Sequence, residues 1–157
     1  MLNLMSKANP FILGVVCGMR AALGPALVAH ELGRRRRPKI GQLEFMRSTK
    51  TAAVLDVAAL GELIGDKLPM TPARVSPTGL SGRIVSGALC GAALSRSARE
   101  DTATGAVAGA VGAMLGAYAF YELRRVLTKR GGLPDVAVAL AEDALALDLG
   151  LTALKTR

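Results

Sequence analysis

Glu62 and Asp66 stand four residues apart in an otherwise apolar run. That spacing places both carboxylates on one face of a helix. Arg20 lies inside another apolar stretch, between Gly18 and Gly24, where a neighbouring helix can come close. Ionisable groups at such depth are costly unless paired, so each is a candidate site residue by default. The expected arrangement is Arg20 paired with Glu62 or Glu142 in the interior, either as part of a site or to fix helix register. The densest polar cluster runs from Asp66 to Ser86 and contains Lys67, Thr71, Arg74, Ser76, Thr78, Ser81 and Arg83. Arginines with hydroxyls and free amides at a helix start suit an anion, most naturally phosphate or carboxylate. The plainer reading of the same cluster is an interfacial loop touching lipid head groups.

Other constellations carry less. Gly61-Glu-Leu-Ile-Gly-Asp-Lys67 has the wrong spacing for a phosphate-binding P-loop, and no Ser or Thr follows the lysine. His30, the single histidine, sits at a helix end and reads as an interfacial residue. Cys17 and Cys90 lie in apolar runs and read as small packing residues, not as a disulfide framework or metal site. The run Arg34–Arg37 has no aromatic platform and no DNA-binding motif beside it, so anionic lipid is the simpler partner and nucleic acid is not expected. A metal would need Glu142, Asp143 and Asp148 to join Glu62 and Asp66, and nothing in the spacing requires that. The candidate ligand-binding residues are therefore Arg20, Glu62, Asp66, Lys67, Arg74, Ser76, Arg83 and Glu142. No residue is assigned to catalysis, a metal or a cofactor.

The elements that must position these groups are Gly/Ala-rich helices. Five are expected, at about 10–32, 51–68, 80–95, 104–121 and 134–154, forming a single domain over residues 1–157. Pro25 is expected to kink the first, and Pro69 and Pro72 to end the second. Pro69 to Gly82 reads as an ordered loop. In the fourth, Gly105, Gly109, Gly112 and Gly116 recur on one face, the small-xxx-small pattern of closely packed transmembrane helices. Tyr118, Tyr121, Arg124 and Arg125 read as an interfacial anchor. The segment from Asp56 weakly echoes that from Asp135, a hint of an inverted repeat.

Composition points the same way. Hydrophobic residues make up 51% of the 157, yet aromatics are 3% and Trp is absent. A soluble core so poor in large side chains is hard to stabilise, whereas small residues let helices pack closely in lipid. Mean hydropathy is +0.37, and several apolar stretches fall short of the roughly 20 residues that span a bilayer. An all-α integral membrane bundle is expected, with five crossings, or four plus one interfacial or re-entrant helix. The net charge of +8 fits basic loops on the inner side. With five crossings and the 34–50 loop inside, the N-terminus falls outside and the C-terminus inside. Membrane lipids are the expected partners, with homo-oligomers through Gly-rich helix faces.

The residues quoted so far resemble a known family. Gly18-Met-Arg20 with Gly24-Pro25, Gly61-Glu-Leu-Ile-Gly-Asp-Lys-Leu-Pro69, Thr71-Pro-Ala-Arg74, Gly79-Leu-Ser-Gly-Arg83, Tyr121-Glu-Leu-Arg-Arg125 and Pro134-Asp135 to Glu142-Asp143 carry the likeness. Together they resemble the bacterial domain-of-unknown-function family 4126, small multi-pass membrane proteins. The very basic Arg34–Lys39 loop departs from its pattern. The resemblance implies a multi-pass protein of the bacterial inner membrane and supplies no activity. Three functions follow as expectations. A transporter, channel or lipid-handling protein needs a polar cavity around Arg20, Glu62, Asp66, Arg74 and Arg83. A structural or accessory protein needs only a dry bundle. A lipid-phosphate enzyme needs at least three converging carboxylates.

Overall fold

A computed structural model describes residues 2–34, 40–65 and 75–155, with side chains from residue 10 onward. All regular structure in these residues is helical: α1 (Leu2–Met19), α2 (Leu23–Arg34), a 3-10 turn (Gly41–Arg47), α3 (Thr49–Gly65), α4 (Pro77–Ser97), α5 (Thr102–Lys129) and α6 (Asp135–Lys155).

The stretch expected as one helix at 10–32 is two. The Arg20 amide still donates to Val16 O, and the next helical bond runs from Ala26 to Ala22 O. Pro25 explains the gap without being its site. A proline lacks an N–H for the carbonyl four residues back, and its ring collides with that carbonyl. Continuous helix through Ala21 is therefore disfavoured, and its carbonyl instead accepts from Ser86 Oγ at 2.6 Å. Pro25 then sits in the first turn of α2, where the missing donor costs nothing.

Contacts fix the direction of every helix. Arg83 reaches the end of α1 and Cys90 meets Cys17, so α4 runs antiparallel to α1. Ser86 meets Ala21 and Cys90 faces Gly24, so α4 runs parallel to α2. α1 and α2 thus form a tight antiparallel hairpin with its tip at residues 20–22. α3 returns alongside α2, pairing Asp56 with His30 and Glu62 with the tip. α5 descends against α4, with Gly105 facing Gly91 and Gly109 facing Gly87, and α6 returns along α5 from the Arg124–Asp135 pair. The six α-helices therefore alternate in direction, with chain beginning and end at the same end of the bundle.

Glycines set the spacing at the centre. A Cβ on Gly109 would collide with the Gly87 carbonyl of α4, and one on Gly14 of α1 would collide with the Gly109 carbonyl. α5 thus lies backbone-to-backbone against two helices, and its glycine face (Gly105, Gly109, Gly112, Gly116) is buried within the chain. Other boundaries shift modestly. α4 begins at Pro77, not 80, because Ser76 caps it by accepting from the Gly79 amide at 3.2 Å. Most of the segment expected as an ordered loop at 69–82 falls on that helix or on residues outside the described ones. α5 runs to Lys129, so Arg124 and Arg125 are helical. At its start Asp101 caps the helix, and the Thr104 hydroxyl and amide hold its carboxyl below the usual aspartate range.

α5 is long and apolar enough to cross a membrane, and 33% of its apolar stretch is buried in the fold. Among the described residues no other helix meets both tests. Large apolar side chains nevertheless face outward on several helices: Val54, Val57, Leu60 and Ile64 on α3, Val107 and Leu115 on α5, Leu140 and Leu151 on α6.

Candidate functional site at the hairpin tip

A hairpin tip between two helices exposes the last carbonyls of one and the first amides of the other, and both ends need partners. Here α3 and α4 supply them. Glu62 accepts from the amides of Ala21 at 2.8 Å and Ala22 at 2.9 Å. Arg83 donates through Nη1 to the carbonyls of Gly18 at 3.1 Å and Met19 at 2.9 Å. The two side chains also meet, with Arg83 Nη2 3.2 Å from Glu62 Oε1. Each charge faces the helix end of opposite sign, a carboxylate at the α2 N-terminus and a guanidinium at the α1 C-terminus. Side-chain exposure is only 7% for Arg83 and 15% for Glu62, so solvent screens these contacts weakly.

Arg20, at the tip itself, points to α6. Its Nε lies 2.7 Å and its Nη2 2.5 Å from Asp143 Oδ1. Its partner here is thus Asp143, and not one of the two expected. Glu62 is taken up by the backbone and Arg83, and Glu142 faces α5, where Arg124 Nη1 lies 3.6 Å away. Adjacent residues on a helix point about 100° apart, so Glu142 and Asp143 serve different neighbours. Arg124 also holds Asp135 through two contacts of 2.7 and 2.8 Å, tying the end of α5 to the start of α6.

Beside the Arg20–Asp143 pair lies a cavity of about 220 Å³ between α2, α3 and α6. Leu23, Ala59, Leu63, Ala144 and Leu147 form its apolar walls, and the ion pair forms its polar end.

Of the expected site residues, Arg20, Glu62 and Arg83 converge on the tip. Glu142 lies on the α5 side of α6, and Ser76 serves as the N-cap of α4. Asp66, Lys67 and Arg74 lie outside the described residues. From the sequence Asp143 is weighed only as a possible metal ligand, and Ser86 only as the end of the polar cluster. The available signal was Pro25, which orphans the carbonyl that Ser86 serves. At the other end of α2, His30 Nε2 lies 2.9 Å from Asp56. Deep in the core, Cys17 and Cys90 sulfurs stand 3.7 Å apart as free thiols. Among the described residues no group of three His, Cys, Asp or Glu is placed to hold a metal.

A family profile described as "Domain of unknown function (DUF4126)" matches residues 10–156. Comparison with curated proteins and with solved structures gave no match.

Proposed function

We propose, for a chain that belongs to the DUF4126 family, a multi-pass membrane protein that binds and moves a small anionic amphiphile at the tip of a re-entrant helical hairpin. The observation that carries this reading is the Arg20–Asp143 pair closing one end of an apolar cavity beside an interrupted helix. Non-helical backbone at membrane depth is tolerated where protein buries it or it lines a cavity, and interrupted helices are where membrane transporters place their sites.

Dimensions support immersion. At 1.5 Å per residue α4 and α6 are each about 31 Å long and α5 about 42 Å, against a hydrocarbon core of roughly 30 Å. α2 is about 18 Å long and α1 about 27 Å, both short of that core, so the tip lies within it. The outward apolar side chains of α3, α5 and α6 then face lipid instead of water. α3 to α6 cross, and the hairpin enters and leaves on one side. That side collects Arg34, Arg47, Lys50, Arg96, Arg99 and Lys155, and the positive-inside rule supports a cytoplasmic location for it. The glycine face of α5 is filled by α1 and α4, so self-association would use other surfaces.

A structural role is favoured by a different observation, the engagement of Glu62 and Arg83 by the hairpin backbone itself. Within this account those two fasten the tip, and Arg20 with Asp143 handles the ligand. The enzymatic alternative needs converging carboxylates, and among the described residues the tip brings together Glu62 and Asp143, each beside an arginine.

Octanoate tests the proposal. It should raise the melting temperature of the detergent-purified protein, and octanol at equal concentration should not. Ala144→Phe, which fills the cavity, should leave the ligand-free melting temperature in place and remove the octanoate effect. Equal stabilisation by octanol, or an Ala144→Phe protein that still responds to octanoate, would refute the site.

A further inference from the structure

We propose that a second cavity, between the end of α2 and the start of α3, binds a phosphate group. It is the larger of the two, about 440 Å³, and lies at the opposite end of α2 from the hairpin tip. Arg34, the last residue of α2, and Arg47, the last of the 3-10 turn, line it together with His30, one turn back on α2. Ser48 and Thr49 add hydroxyls where α3 begins. Three cationic or protonatable groups from two elements thus surround one space, with a wall of alanines behind them and Asp56 as the one acidic residue in the lining.

The acidic groups nearby are already engaged. Asp56 faces His30, with both oxygens within 3.0 Å of Nε2. Glu44 lies 3.4 Å from Arg47 Nη1 and also accepts from the Ile40 amide. Arg47 is held in place as well, its Nε donating to Leu32 O at 3.3 Å, so one guanidinium is fixed before any ligand arrives. The first helical bond of α3 runs from Ala52 to Ser48 O, so the amides of Thr49, Lys50 and Thr51 precede the ladder. Arg34, Arg47, Ser48 and Thr49 thus come to the cavity from three successive segments of the chain. That suits a tetrahedral, multiply charged anion better than a planar carboxylate, which one guanidinium fork satisfies.

A phosphate could come from a lipid head group or from solution, and the phosphate chemistry is common to both. The lipid source rests on the membrane placement proposed above, whereas phosphate binding itself does not. The test uses the full-length protein with inorganic phosphate in detergent, and with phosphatidylcholine vesicles with and without phosphatidic acid. Inorganic phosphate should bind, and Arg34→Gln, at an exposed position, should weaken it roughly tenfold. Arg47→Gln should weaken it further. Octanoate binding at the hairpin tip should be unchanged in Arg34→Gln, which separates the two sites. Preferential capture of phosphatidic acid, competed by free phosphate, would identify the head group as the source. Phosphate binding without lipid preference would identify the solution anion. Absence of both, or equal binding by wild type and Arg34→Gln, would overturn the inference.

Discussion

Gly109→Ala is expected to destabilise the bundle by about 3 kcal/mol, the upper end of the cost of overpacking a close-packed interior. The added methyl would collide with the Gly87 carbonyl of α4, a backbone atom that no rotamer change can move aside. Gly14 of α1 presses on the Gly109 backbone from a second direction, so α5 cannot shift away from one neighbour without meeting the other. Gly61→Ala and Gly65→Ala are the controls. Nothing lies within 4 Å of a Cβ at either position, and alanine is the better helix former by up to about 1 kcal/mol. Those two should be neutral or stabilising in the same detergent-titration unfolding experiment. A Gly109→Ala protein as stable as Gly61→Ala would show that α1, α4 and α5 do not meet backbone-to-backbone.

The second large effect concerns the fastening of the tip. Glu62→Ala removes the acceptor of two backbone amides and the carboxylate that faces Arg83. Deleting one partner of a buried ion pair costs about 3–5 kcal/mol. Partial exposure of Glu62 places the expected loss near about 3 kcal/mol, the lower end of that range. Arg83→Met should cost a similar amount, because the carbonyls of Gly18 and Met19 lose their donor. The double variant should lose less than the sum of the singles, with a coupling of about 1–3 kcal/mol in a double-mutant cycle. Strict additivity would mean that the two charges do not share one site. Glu62→Gln keeps an acceptor for the tip and should fall between wild type and Glu62→Ala.

These two variants probe features of different legibility. The glycine face of α5 was readable, because four glycines at helical spacing have no reason to persist in an exposed helix. Which helices would fill it was not readable, since Gly14, Gly87 and Gly91 differ in no visible way from Gly61, Gly65 and Gly82. The positions of α3, α5 and α6 followed from apolar runs and their proline or charged boundaries to within a few residues, apart from the longer C-terminal end of α5. The hairpin was hidden for a physical reason. An apolar stretch of twenty-odd residues has the same composition whether it crosses once or turns back at its middle. Pro25 distinguished the two cases only through the carbonyl four residues upstream and the hydroxyl that serves it. The site was legible as residue types and not as pairs. Arg20, Glu62 and Arg83 stood out as charges in apolar surroundings. The choice of Asp143 over Glu142 depended on which side of α6 faces α1, and α6 carries acidic residues on more than one side.

The hairpin is the claim on which the rest depends, and labelling from the two sides of the membrane tests it most directly. In a Cys17→Ala/Cys90→Ala background, single cysteines can be introduced by Asn3→Cys near the start of α1, Phe45→Cys in the 3-10 turn and Arg130→Cys at the end of α5. Phe45 and Arg130 are exposed at opposite ends of the bundle. With a membrane-impermeant maleimide on sealed vesicles of defined orientation, the first two should react from the same side and the third from the other. Asn3→Cys and Phe45→Cys reacting from opposite sides would mean that residues 10–34 cross the membrane once, and the hairpin and the site at its tip would both be wrong.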